Sequence, residues 1–344
     1  MIYDELFIFP IRSFKPSMDP LSEVIRQSRP RSITVGATDV GGDLAIRFPA
    51  HEGAYLYCVE SGECWLRVEG EAQAFHLRAG DCVVLPSGRG FMLASDLELP
   101  PRDAAVVFAG RPNGSIETYN GGGRCMMFAA HFEFEAGFSR FLLGGLDTVV
   151  RVQDPEAKAR LREAIGQMID ELQQGRSGCE LVVDHLAHIA LVKILRFHAS
   201  EVAHTRSGWL YALADARMGV AIAAMHDAPS RRWTVASLAS ASAMSRTAFA
   251  TRFRSTVGMT PLDYLTQLRM LIAARQLAEP GARVAKVAQH LGYESESSFS
   301  AAFKRAMGMP PRRYAQQARG DIPAPGALAP GGRLGPESCA ARGS

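Results

Sequence analysis

The segment Ser245–Tyr264, SRTAFATRFRSTVGMTPLDY, is answered fifty residues later by Ser295–Tyr314, SESSFSAAFKRAMGMPPRRY. Ser245, Phe249, Phe253, Gly258, Pro261 and Tyr264 recur in one register as Ser295, Phe299, Phe303, Gly308, Pro311 and Tyr314. Self-similarity of this kind marks a duplicated structural unit. Upstream the register becomes 49: Val235, Leu238 and Ala239 are matched by Val284, Val287 and Ala288, so the second copy has one more residue in its turn. Each copy reads as helix, tight turn, helix.

The chemistry of each copy follows from its spacing. Thr234 is placed to cap a short helix whose Val235, Leu238 and Ala239 face inward, the small alanine letting the next helix cross closely. Ser245 caps a second helix, about 234–257 completing the unit, in which Phe249, Phe253 and Val257 form an i, i+4, i+8 anchoring stripe. Arg246, Thr247, Ala250, Thr251 and Arg254 are left facing outward. In the second unit, about 283–307, Val284, Val287, Ala288 and Leu291 make the buried face, Gly292 opens the turn, and Phe299, Phe303 and Met307 anchor. There Glu296, Ser297, Ser300, Ala301 and Lys304 face out. A connecting helix from about Leu262 to Leu277 spans roughly 24 Å, a length suited to holding two probe helices about 34 Å apart, one duplex turn.

Charge points the same way. Residues 217–320 hold 15 Lys+Arg against 5 Asp+Glu, whereas residues 1–216 hold 21 against 28. A basic module joined to an acidic one suggests that only the first meets a polyanion. A plain helical bundle would also bury the phenylalanines, but it would need neither the duplication nor the charge. Double-stranded DNA is the expected partner.

The remainder is organised differently. At 344 residues, two domains are expected. From Ala45 to about Phe134 short β-branched and aromatic runs alternate with turn signals such as Glu69-Gly70 and Ala79-Gly80-Asp81, predicting an antiparallel sandwich or barrel. Cys64–Val68, Ala74–Leu77, Cys82–Leu85 and Met126–Phe134 are its clearest strands. After Asp154-Pro155 the period becomes helical, with Leu161, Ile165, Met168, Ile169 and Leu172 on one face. A second helix, about Leu181 to His198, places Leu186, Ile189, Ile194 and Phe197 on its apolar side. The two form a hairpin over 151–205, suited to a dimer interface or to packing on the barrel. Residues 321–344 lack apolar periodicity and are expected to be a disordered tail. No run approaches the ~20 apolar residues of a membrane span, and MIYDELFIFP lacks a basic n-region, so the chain is expected in the cytoplasm, without membrane partners.

The run from Ser237 through GYESESSFSAAFKRAMGMPPRRY resembles the AraC/XylS DNA-binding domain over about 100 residues, here 217–317. The resemblance implies base contacts from Thr247, Ala250 and Thr251 in the first unit and from Glu296, Ser297, Ser300 and Ala301 in the second. Arg246, Arg254, Lys304 and Arg305 suit phosphate contacts, which fix register without specifying sequence. The family often carries arginine where Ala301 stands, and Glu296 suits a cytosine amino group. The amino-terminal part, SGECWLRVEGEAQAFHLRAGDCVVLPSG included, resembles cupin-type sensor domains, here 4–135. The fold class implied is α+β and multidomain: an antiparallel cupin-like β-barrel plus helical hairpin, then an all-α domain with two helix-turn-helix units. The resemblance further implies a small-molecule effector, with Tyr57, Trp65, Arg67 and His76 as pocket candidates, a homodimer, and activation through contact with RNA polymerase, repression being the open alternative.

Metal-binding cupins carry an H-x-H pair and a later histidine where this chain has Tyr55-Leu56-Tyr57 and Phe91. No metal, no cofactor and no enzyme activity are therefore expected, against the alternative of a cupin enzyme fused to a DNA-binding module. His185 and His188 stand three apart on a helix but lack a further ligand at matching spacing. Six cysteines without a C-x-x-C pair read as reduced thiols. A thiol- or metal-responsive regulator using Cys58, Cys64, Cys82 and Cys125 is the other alternative.

Overall fold

Asp19 opens the described chain by accepting hydrogen bonds from the backbone N–H groups of Leu21 and Ser22, capping the helix Pro20–Ser28 (α1). Arg31–Val40 (β1) follows, so the sheet begins well before the expected Ala45. Only Val35, Ala37 and Val40 are buried apolar side chains in β1. Pairing with later strands, absent from any local pattern, holds it in place.

Ala45–Phe48 (β2), Ala54–Ser61 (β3), Glu63–Val68 (β4), Phe75–Arg78 (β5), Cys82–Leu85 (β6), Phe91–Ala94 (β7) and Arg102–Asp103 (β8) succeed one another. A helical turn, Ala104–Val107 (α2), then leads to Ile116–Tyr119 (β9) and Cys125–Glu133 (β10). Phe138–Leu143 (α3) and Val150–Arg151 (β11) complete the domain. One sheet runs β11-β6-β3-β10-β1-β9 and the other β5-β4-β7-β2-β8. Their inner faces meet around Leu66, Val83, Phe91 and Leu93. The expected cupin-like domain is present as two facing, mainly antiparallel sheets, in which two pairs, β1–β9 and β2–β8, are parallel.

The hairpin is Pro155–Gln174 (α4) and Cys179–Val202 (α5). Asp154 caps α4 by accepting from the Ala157 N–H at 2.7 Å, and Gly175, at φ 55°, ends it in the left-handed conformation. Leu161, Ile165, Met168, Ile169 and Leu172 are all buried as expected. On α5 the buried face is Val183, Ala187, Ala190, Leu191, Ile194 and Leu195, while Ile189 is 46% exposed. Ala187 and Ala190 carry little hydrophobic signal and are buried there because α5 packs against α4 and the six-stranded sheet. Asp81 ties the sheet to this layer: at 9% side-chain exposure it accepts from Lys158 at 2.7 Å and pairs with Arg151 at 3.3 Å. Burial alone would raise its pKa, but Lys158, the Arg78 N–H and Arg151 hold it below the ordinary value.

Trp209–Ala214 (α6), Ala216–Asp227 (α7), Val235–Ala241 (α8), Arg246–Val257 (α9), Pro261–Ala278 (α10), Val284–His290 (α11), Glu296–Met307 (α12) and Pro311–Ala318 (α13) finish the chain. The computed structural model describes residues 19–28, 30–134, 138–202 and 208–319, so the expected tail and the start of the 4–135 segment lie outside the described residues. Two compact units divide between Leu271 and Ile272, inside α10. The first helix-turn-helix unit therefore belongs to the same compact unit as the sandwich, and the reason is local. Asp215 caps α7 and accepts from Arg252 of α9, and the Gly208 N–H donates to the Thr256 carbonyl at 2.6 Å. Trp209 stacks on Phe141 with ring centroids 5.2 Å apart.

Candidate nucleic-acid interface and effector cavity

In the first helix-turn-helix unit, Thr234 and Ser237 form a reciprocal capping box at the start of α8. The turn passes through Ala243 at φ 51°, and Ser245 caps α9 by accepting from the Ala248 N–H. Phe249 and Phe253 are fully buried and Val257 nearly so. Phe253 meets Tyr264 edge-on, centroids 5.8 Å apart and planes at 74°. Gly258, at φ 88°, ends α9.

Within the second unit the same joints recur. Gly292 takes the turn at φ 79°, Ser295 accepts from the Ser298 N–H, and Phe299 and Phe303 are fully buried. Phe303 meets Tyr314 edge-on at 5.4 Å and 77°, and Gly308, at φ 77°, ends α12. The extra residue read from the sequence lies in the turn, which runs Ser242–Ser245 in one copy and Leu291–Ser295 in the other. Met307 is half-buried and is a lesser anchor than the two phenylalanines.

The outward faces carry the expected side chains. Arg246, Thr247, Thr251 and Arg254 are exposed and Ala250 half-buried on α9; Ser297, Ala301, Lys304 and Arg305 are exposed and Glu296 and Ser300 half-buried on α12. Arg246, Arg254, Lys304 and Arg305 form no ion pair among the described residues. Three other arginines are occupied: Arg252 on Asp215, Arg269 on the Pro229 and Arg231 carbonyls, and Arg312 on Glu296 at 3.3 Å. The last contact sets a cation beside the one carboxylate at the start of α12, which sequence spacing did not reveal because Arg312 belongs to another helix.

Between the two sheets lies a cavity of about 490 Å³, lined by Phe48, Tyr55, Tyr57, Phe108, Met127 and other largely apolar side chains. Of the four pocket candidates, Tyr57 lines it; burial pushes its hydroxyl pKa well up, keeping it neutral. Trp65, Arg67 and His76 are not among the lining residues. In β4 the even positions Cys64, Leu66 and Val68 are buried, which turns Trp65 and Arg67 to the other face, where Trp65 stacks on His76 at 4.4 Å. Aromatic rings fill the region where metal-binding cupins place ligands: Phe48 stacks on Phe91 at 4.5 Å, and Tyr55 and Tyr57 each meet Phe91 edge-on. Missed by sequence reading, Arg111 enters the lining from the loop between α2 and β9. Only long-range pairing of that loop with β1 brings it there.

Cys58 and Cys82 face each other across β3 and β6, and Cys64 and Cys125 both line the cavity, where the Cys64 thiol donates to Met127 Sδ at 3.5 Å. His185 and His188 engage the carbonyls of Leu181, Asp184 and Pro30, and no group of three or more metal-ligating residues occurs among the described residues.

Such a chain is, by its architecture, a helix-turn-helix DNA-binding protein carrying a cupin-like domain. A cupin family profile matches residues 19–200, and a helix-turn-helix domain profile matches residues 238–317. An AraC-like transcription regulator of Streptomyces lividans is 40% identical over 282 residues, covering 81% of this chain and 92% of its own. The HTH-type transcriptional regulator AlkR of Acinetobacter baylyi is 29% identical over 290 residues, covering 81% and 93%. Solved structures match less closely: the DNA-binding domain of AdpA in complex with a target DNA is 32% identical, covers 29% of this chain and 91% of its own, and has a TM-score of 0.28. ToxT from Vibrio cholerae O395 is 13% identical, covers 83% and 96%, and has a TM-score of 0.33. The chain belongs to the family of AraC-like transcription regulators and is a DNA-binding regulator of transcription.

Proposed function

We propose that this regulator reads two successive major-groove segments with α9 and α12, and that a small effector in the sandwich cavity sets how well it does so. The observation that carries this reading is the repeated joint: the same serine cap, buried phenylalanine pair and edge-on tyrosine stand behind both polar faces. In this reading 217–317 is the DNA-binding part, 4–135 the sensor and 151–205 the hairpin of a homodimer. It acts in the cytoplasm as an activator touching RNA polymerase, and it is not an enzyme. Thr247, Ala250, Thr251, Glu296, Ser297, Ser300 and Ala301 face base edges, and Arg246, Arg254, Lys304 and Arg305 take phosphates. An effector acts by preferring one arrangement of the chain over another.

The test uses the full chain and duplexes of varied sequence. Arg254→Ala or Lys304→Ala weakens binding to every duplex and lowers the slope of log affinity against log salt by about 1. Thr247→Ala shifts preference at one base pair. Unchanged affinity in all three variants sinks the groove assignment. A second reading, a thiol-responsive regulator, is favoured by the presence of both Cys64 and Cys125 in the cavity lining. An effector response left intact by Cys64→Ser and Cys125→Ser removes it.

A further inference from the structure

Among the described residues lining the cavity, Arg111 carries a buried nitrogen whose hydrogen bonding is incomplete. Its guanidinium lies 4.0 Å over the Tyr119 ring and 5.2 Å from the Phe108 centroid, which fixes its plane. Tyr119 is itself locked, its hydroxyl donating to the Val107 carbonyl. The loop that carries Arg111 is stitched to β1: Asn113 accepts from the Val35 N–H, the Gly114 N–H donates to the Val35 carbonyl, and the Ala37 N–H donates to the Ser115 carbonyl. Yet Nη1 of Arg111 is buried and has no hydrogen-bond partner. Oε2 of Glu117 forms an ion pair with this nitrogen at 3.6 Å, too long for a hydrogen bond, and the other Glu117 oxygen takes the Ser115 hydroxyl.

Other charges lining the cavity are engaged beside it: Arg124 with Asp43 at 3.2 Å, and Glu63 with His76 at 3.2 Å. An incompletely bonded guanidinium at an apolar wall is costly, and the chemistry that satisfies it is a planar pair of acceptor oxygens. The volume, about 490 Å³, falls within the ~300–1,000 Å³ typical of small-molecule sites. We propose that the cavity binds an amphipathic carboxylate, its apolar body against Phe48, Tyr55 and Met127 and its carboxylate on Arg111. This rests on the effector reading above and names the class of ligand. Glu117 sets the affinity by competing for the same guanidinium.

Isothermal titration of the full chain with decanoate and with 1-decanol tests it. Decanoate is expected to bind more tightly than decanol. Arg111→Met lowers decanoate affinity roughly 10- to 100-fold and leaves decanol unchanged. Glu117→Gln tightens decanoate alone, and this gain does not depend on how well Arg111→Met folds. Equal binding of the two ligands, or decanoate affinity indifferent to Glu117→Gln, overturns the head-group assignment while leaving the cavity as an effector site. Binding of neither ligand overturns this inference, and an intact DNA affinity in the same preparation shows that the DNA-binding reading survives.

Discussion

Ala243 and Gly292 hold the same place in the two turns, both at positive φ, but only the second is a glycine. An L side chain there carries a penalty of about 1–2 kcal/mol that glycine avoids, offset in part by glycine's greater chain entropy. Ala243→Gly is therefore expected to stabilise the first unit by about 0.5–1 kcal/mol, read as a higher urea midpoint. A lower midpoint would mean that the turn is not strained. The anchoring residues were legible one by one, since serine cap, phenylalanine pair and tyrosine stand at fixed spacing in the chain. Arg111 was not, because nothing within ten residues of it announces a cavity.

At the scale of elements, α7 and α10 are joined by a buried polar pair, His226 Nε2 and the Tyr264 hydroxyl, 2.8 Å apart. Burial lowers His226 from the ordinary 6.5 to about 4 and raises Tyr264. The unfolded imidazole takes its proton first as pH falls. Stability from this group is thus present above pH 6.5 and is lost as pH falls towards about 4, by up to roughly 3 kcal/mol. His226→Gln, which cannot titrate, is expected to flatten urea stability across that window. An unchanged acid limb in the variant would assign the loss to other groups. Helix ends were readable here, Asp154, Ser245 and Ser295 each capping as the sequence suggests. The phase of α5 was not, because apolar residues stand on several of its faces and only packing against a neighbour decides which are buried.

Across the whole molecule, α6 is one of the elements that sequence periodicity passed over. Six residues are too few to show a period, yet Trp209 is 5% exposed and stacks on Phe141, while the Gly208 N–H reaches the backbone of α9. This makes α6 a physical link between the sheet domain and the first helix-turn-helix unit. Trp209→Ala should cost about 3–5 kcal/mol and lower the thermal midpoint of both together. A change confined to the sheet domain would mean that α6 does not join them.

The sequence by itself determined the duplicated DNA-binding unit, because its information is local: caps, anchors and glycines lie within one helix-turn-helix and repeat. It also determined that tyrosines and a phenylalanine stand where metal-binding cupins keep ligands. Tertiary structure alone decided which face of β4 looks inward, which arginines are spent on partners, and that a loop arginine turns into the cavity. Those outcomes depend on pairings between residues tens of positions apart, whose register and burial no short stretch of chain encodes.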